Sequence, residues 1–235
     1  MRFALVFLDA ADPSLGRVDL ESLPQQALME MVIEGITNKE QICGDANEPK
    51  DIEEWEGVGI EDGQVVEIFW QRFDLKGELH FEWLPSSVRE FHAFKNGLTG
   101  TLDLASFPTS MKELSLGLNA LIGSIILERF PKNMEVFRVF QNQLSGPLKL
   151  ESLPDTLTDF IAGYNQFTGS VNLTQLPAAL SFLDLENNRL SANPTKGHLS
   201  VVGWTSTQPL GRFGKPPNYF QGNNLLGGET REDIY

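Results

Sequence analysis

Residues 111–131 read MKELSLGLNALIGSIILERFP, and the same frame returns, with other side chains, from Val88, Met134, Leu157 and Leu180. Slid along itself until Pro85 falls on Pro108, the chain also superposes Pro131, Pro154 and Pro177, and likewise Asn96, Asn119, Asn142, Asn165 and Asn188. Gly100, Gly123, Gly146 and Gly169 follow in step, and Ala192 ends the series. A period in the twenties marks a solenoid, whose unit cannot bury its apolar side alone and is stable only when stacked on neighbours.

Within the unit each residue type has a task. Leu114 and Leu116 are two apart, so an extended segment puts both on one face and Glu113, Ser115 and Gly117 on the other. Asn119 stands where the chain turns inward, and its amide can bond backbone groups of its own coil and the neighbouring one. Gly123 permits a tight bend, after which Ile125 and Leu127 turn inward, and Phe130-Pro131 closes the coil. Upstream, Val65 opens a degenerate first coil in which Phe73 holds the asparagine position, so the ladder is expected to begin at Asn96.

The pattern L-x-x-L-x-L-x-x-N-x-L resembles the leucine-rich repeat family, and the following G-x-L-x-L-x-x-L-P is similar to its plant-type variety and to repeats of single-celled eukaryotes. The resemblance covers Val65 to Ala192. It implies an α/β solenoid, curved, with a parallel sheet on the concave side. Trp55, Gly57, Val58, Gly63 and Val65 form W-x-G-V-x-x-x-x-G-x-V, similar to the N-terminal cap of plant-type members, but the cysteines usual there are missing.

Three regions are expected. Residues 1–64 form an acidic extension and helical cap, in which Leu20, Leu23, Leu28, Met31, Val32 and Ile36 outline an amphipathic helix from Leu20 to Ile36. Residues 65–192 form six coils. Residues 193–235, with seven glycines and four prolines, form an irregular tail carrying Trp204, Phe213, Tyr219 and Phe220.

With 32 acidic and 18 basic residues the formal charge is −14, which disfavours nucleic acid, and no apolar run approaches the roughly 18 residues of a membrane span. The apolar run Phe3 to Leu8 falls short of the roughly 7 to 15 residues of a secretory leader. Cys43 is the only cysteine. No disulfide can close within the chain, and a reducing, intracellular compartment is the expectation.

No catalytic constellation emerges, and neither an enzyme, a cofactor nor a metal site is expected. His80, His92 and His198 fall in unrelated contexts, without carboxylates at ligand spacing along the chain. The carboxylates of 51–56 read as a solvated acidic loop, and Asn172-Leu173-Thr174 is a glycosylation sequon.

What remains is a surface. Strand alternation points Phe69, His92, Ser115, Arg138, Ile161 and Asp184 outward in one column. Gln71, Phe94, Gly117, Phe140, Gly163 and Glu186 form the next, bordered by Arg72, Lys95, Leu118, Gln141, Tyr164 and Asn187. A sheet face meeting only water should be polar, so Phe69, Phe94, Phe140, Ile161 and Tyr164 beside His92, Leu118 and Arg138 mark a partner-binding face. Trp204, Tyr219 and Phe220 offer a second contact. The expected function is a protein-binding adaptor or accessory subunit of a multi-subunit complex. The alternative is a secreted or cell-surface module that reads a peptide or glycan.

Overall fold

The computed structural model describes residues 22–192. Within them the chain winds as a solenoid with two sheets, one from each of two short strands per coil. The first strands are β2 (Gln64–Phe69), β4 (Glu90–His92), β6 (Glu113–Ser115), β8 (Val136–Arg138), β10 (Asp159–Ile161) and β12 (Phe182–Asp184). They pair in parallel, and β1 (Val58–Glu61) closes the near edge antiparallel to β2. Leu114 stands between Phe91 and Phe137, its counterparts in the coils before and after, so the sequence repeat is the register of this sheet.

A second sheet runs beside it, which the repeat pattern alone did not announce. Its strands are β3 (Lys76–Glu78), β5 (Gly97–Thr99), β7 (Ile122–Ser124), β9 (Gln143–Gly146), β11 (Gln166–Val171) and β13 (Arg189–Ala192). β3 pairs with β5, β7 to β13 pair in series, and a bridge between Thr101 and Ile122 joins the two groups. Gly123 pairs here with Leu144 and not with its repeat counterpart Gly146, so these strands are sheared against the first sheet by two positions per coil. Gly123, at φ +85 in the middle of β7, holds a left-handed backbone that a Cβ would resist. Short 3-10 turns at Phe81–Trp83, Leu104–Ser106, Leu127–Arg129 and Leu150–Ser152 close the opposite side.

The core fills the space between. Leu114, Leu116, Leu121, Ile125 and Leu127 of the third coil are all buried, as the alternation requires. Larger rings thread the stack: Phe91 lies edge-on to Trp70 and Phe81 at 5.6 and 5.5 Å, and Phe137 stacks on Phe160 at 5.6 Å.

Along one edge runs the asparagine ladder. Asn142 Oδ1 accepts the N–H of Leu121 in the preceding coil (3.0 Å), while its Nδ2 donates to the carbonyls of Val139 (3.1 Å) and Leu116 (3.0 Å). Asn96, Asn119, Asn165 and Asn188 repeat this. Each side chain therefore ties two coils and satisfies backbone groups that have no strand partner. A second ladder went unread in the sequence: Ser87, Ser110 and Thr156, each at the end of a coil, donate their hydroxyls to the carbonyls of Val65, Val88 and Met134 at that coil's start, all at 2.7 Å.

The N-terminal cap differs from the expectation in its helix. Instead of continuing to Ile36, α1 (Gln25–Val32) ends early, and a second short helix, α2 (Glu40–Cys43), follows. The reason is a competing partner. Ile36 bridges antiparallel to Gly77, the Gly35 carbonyl accepts the Glu78 N–H (3.1 Å), and the Thr37 N–H donates to the Lys76 carbonyl (2.8 Å). Asn38 then accepts the Lys76 N–H (2.9 Å) and donates to the Asp74 carbonyl (3.0 Å), tying the cap to the first coil. Trp55 is buried, its indole N–H on the Lys50 carbonyl (2.9 Å). Gly57, at φ +73, lets the cap approach β2 so closely that a Cβ there would meet the Phe69 carbonyl oxygen at 2.2 Å.

Candidate recognition surface

The first sheet presents its outward positions as columns, one residue per coil, because every strand is in register with the next. Phe69, His92, Phe94, Leu118, Arg138, Phe140, Ile161 and Tyr164 all stand on this face or its border, and none is in the buried core. Tyr164 is the most open, at 49% exposure. The others are half-buried. Phe69 packs on His92 with ring centres 5.1 Å apart, and the Arg72 guanidinium sits 5.9 Å from the Phe94 ring.

Alternating glycines shape the groove. A Cβ on Gly117 would meet the Phe140 ring at 2.3 Å, so that ring lies flat over the preceding coil. Gly163 is covered the same way by the Asp184 carboxylate, at 2.8 Å. Burial pushes that carboxyl up to about 6, although the Glu186 N–H donates to it (2.9 Å). Burial together with Glu186 also raises the Tyr164 hydroxyl.

The border column has its own geometry. Arg72, Lys95, Leu118, Gln141, Tyr164 and Asn187 all adopt left-handed backbone, with φ between 50 and 62. The chain must leave the sheet and turn inward to the ladder asparagine within one residue, and this conformation is the turn. Their side chains therefore fan out along one edge of the groove.

Charge divides the face. Glu67, Glu90 and Glu113 form a column in coils one to three, whereas Val136, Asp159 and Phe182 continue it. Arg138 pairs with Asp159 at 3.5 Å. The expected absence of carboxylates around the histidines is corrected here. His92 Nε2 lies 3.8 Å from Glu90 Oε2 and 3.7 Å from Glu113 Oε2. Spacing along the chain misled because Glu113 belongs to the next coil, and the repeat delivers it to the adjacent rung. The recurrence of glutamate at the same coil position, Glu90 and then Glu113, was the available signal. Burial pushes Glu90 up, with Glu113 and Glu67 adding to it, and pushes the His92 imidazole down.

Other residues singled out in the sequence have local roles. Asp51 accepts the Glu53 N–H (3.1 Å) at the start of a 3-10 turn, and His80 faces Glu82 at 3.6 Å, away from the groove. Asn172 Oδ1 accepts from the Thr174 N–H (3.0 Å) and hydroxyl (2.7 Å). Trp204, Tyr219 and Phe220, with the rest of the tail, lie outside the described residues. No helix among the described residues is long and apolar enough to cross a membrane.

Two registered sheets, an asparagine ladder and 3-10 turns, recurring from coil to coil, decide the fold. The chain folds as a plant-type leucine-rich repeat solenoid. No family model and no curated protein matches it. Among solved structures the solenoid is similar to Pollen Receptor Kinase 3, at 24% identity and a TM-score of 0.61, over 88% of this chain and 99% of that one. It is similar to the leucine-rich repeat ectodomain of the receptor kinase SOBIR1 from Arabidopsis thaliana, at 20% identity and a TM-score of 0.57, over 72% and 96%. The BIR3–SERK2 complex from Arabidopsis thaliana matches at 20% identity and a TM-score of 0.54, over 69% and 93%. At these identities the likeness is one of fold.

The neighbours correct the expected compartment. Two are named as receptor kinases, and the SOBIR1 structure is of an ectodomain, which points to an extracellular setting instead of a reducing intracellular one. The physical reason lies in Cys43. It is fully buried, its thiol facing the Lys39 carbonyl (3.2 Å), and packs as a small apolar side chain. A lone buried thiol cannot close a disulfide within its chain in any compartment, so it carried no redox information.

Proposed function

We propose that the solenoid is an extracellular recognition module that binds a peptide or a protein segment in the groove of its first sheet. This rests on one observation: Phe94 and Phe140, flanked by Arg138 and Tyr164, lie half-exposed on a sheet face that solvent alone would leave polar. The receptor-like neighbours favour recognition over the adaptor role. The Asn172 sequon, with its threonine hydroxyl already turned onto the asparagine, is consistent with passage through a secretory route. The cap of 1–64, the coils of 65–192 and a tail of 193–235 as a second contact belong to this reading.

The test is a peptide selected from a random display library against the full chain, then titrated against the variant carrying Phe94→Ala, Phe140→Ala and Tyr164→Ala. Affinity should fall at least about tenfold, since aromatic anchors dominate such interfaces. Equal affinity for a folded triple variant removes the groove from the reading.

A further inference from the structure

We infer that Glu90, His92 and Glu113 form a binding site for a divalent transition metal, with zinc the best fit. One nitrogen and two oxygens on three residues converge from adjacent strands, all within 4.8 Å of one another. A zinc ion with bonds of about 2.0 to 2.1 Å and tetrahedral angles holds its ligand atoms about 3.4 Å apart. The 3.7 and 3.8 Å separations from His92 Nε2 to the carboxylates exceed this by tenths of an ångström, within the swing of a glutamate side chain.

The second observation is an orphan. His92 Nε2 is buried and has no hydrogen-bond partner, because both carboxylates stand beyond hydrogen-bond reach. A histidine placed only for packing would turn this nitrogen to solvent or to a donor or acceptor, since a buried polar atom left unpaired loses its hydration with nothing in return. The other orphan among the described residues, Gln71 Oε1, belongs to the preceding coil of the same face. Both unmet polar atoms thus fall in the first two coils, where Glu67, Glu90 and Glu113 also concentrate negative charge.

The donor set selects the ion. An imidazole with two carboxylates suits zinc and its first-row neighbours, whereas calcium takes six to eight oxygens, which this corner does not offer. The face is built to hold the set in place. His92 is braced by the Phe69 ring, and Glu90 and Glu113 are fixed one rung apart by the pairing of β4 with β6. Three protein ligands leave a fourth position for water or an incoming group.

Untagged full chain, stripped with EDTA, is titrated with zinc chloride by calorimetry, with calcium chloride in a parallel arm. One zinc per chain should bind in the micromolar range or tighter. His92→Ala and Glu113→Gln should each weaken it at least about tenfold, as loss of a ligand does, while His80→Ala leaves it unchanged. Circular dichroism melts in EDTA should coincide for wild type and Glu113→Gln, so a lost site is separable from a lost fold. No zinc uptake, uptake indifferent to both His92→Ala and Glu113→Gln, or preference for calcium overturns the site. The peptide titration above is made in EDTA, so failure of the metal site and failure of the groove are read independently.

Discussion

Two columns lie side by side along the edge of the first sheet and obey opposite rules. In one, Asn96, Asn119, Asn142, Asn165 and Asn188 are the same residue in every coil. In the other, one residue earlier, Lys95, Leu118, Gln141, Tyr164 and Asn187 share a left-handed backbone and almost nothing else. The difference separates two kinds of demand. The ladder position needs a specific side chain, with one acceptor and two donors at fixed places. Its neighbour needs only a backbone shape, which several residues can adopt at a cost of about 1 to 2 kcal/mol each. A solenoid can therefore vary its surface where the coil constrains only φ and ψ, and must repeat itself where a side chain closes the backbone.

The sharpest way to break this contrast is Asn142→Ala. It removes the acceptor of the buried Leu121 N–H and one of two donors to each of the Leu116 and Val139 carbonyls, which Asn119 and Asn165 still reach. The expected loss is about 2 to 3 kcal/mol, mostly from the stranded N–H, read as a lower urea midpoint. An unchanged midpoint would mean that the ladder only decorates a stack held by its core.

The same division explains what the sequence disclosed. Prolines, asparagines and the Leu-x-Leu alternation recur because each fills a place that coil after coil must fill, so the solenoid and the register of its first sheet were legible from spacing alone. The second sheet was not, since it is made of backbone pairing sheared by two positions per coil. The end of α1 was equally hidden, because a bridge from Ile36 to Gly77 decides it, and that partner lies beyond the whole cap and the first strand of the solenoid. His92 with its two carboxylates was missed for a related reason: contacts between coils appear only after the sequence is folded at its own period.

A second test moves from the border to the groove floor, where position is set by a neighbour's missing side chain. Asp184 covers Gly163, and its burial raises the carboxyl to about 6 from 3.8. A raised folded-state value means that the fold prefers the protonated acid. That preference is fully expressed below pH 3.8 and is lost as pH rises through about 6, so at neutral pH the ionised group is a liability. A shift of this size corresponds to about 3 kcal/mol at most, and about 1 to 2 kcal/mol is expected for a group still partly in contact with water. Asp184→Asn keeps an oxygen for the Glu186 N–H and should stabilise the protein by that amount at pH 8. At pH 3.5 the gain should vanish. Equal gains at both values would trace it to packing over Gly163 instead of charge.

The smallest effect is the most discriminating, because it falls one residue from the largest. Gln141 is exposed, at φ 51, and its backbone N–H donates to the Gly163 carbonyl (2.9 Å). Glycine preserves that bond and relieves the left-handed strain, but it also enlarges the freedom of the unfolded chain, and the two terms are of similar size. Gln141→Gly should therefore leave stability within about 0.5 kcal/mol, against the several-fold larger loss from Asn142→Ala next to it. Gln141→Val, whose branched Cβ resists positive φ, should cost about 1 to 2 kcal/mol through the backbone alone. A large loss from the glycine variant would give the Gln141 side chain a structural task, and the border column would then be held by the same demand that keeps the asparagines identical.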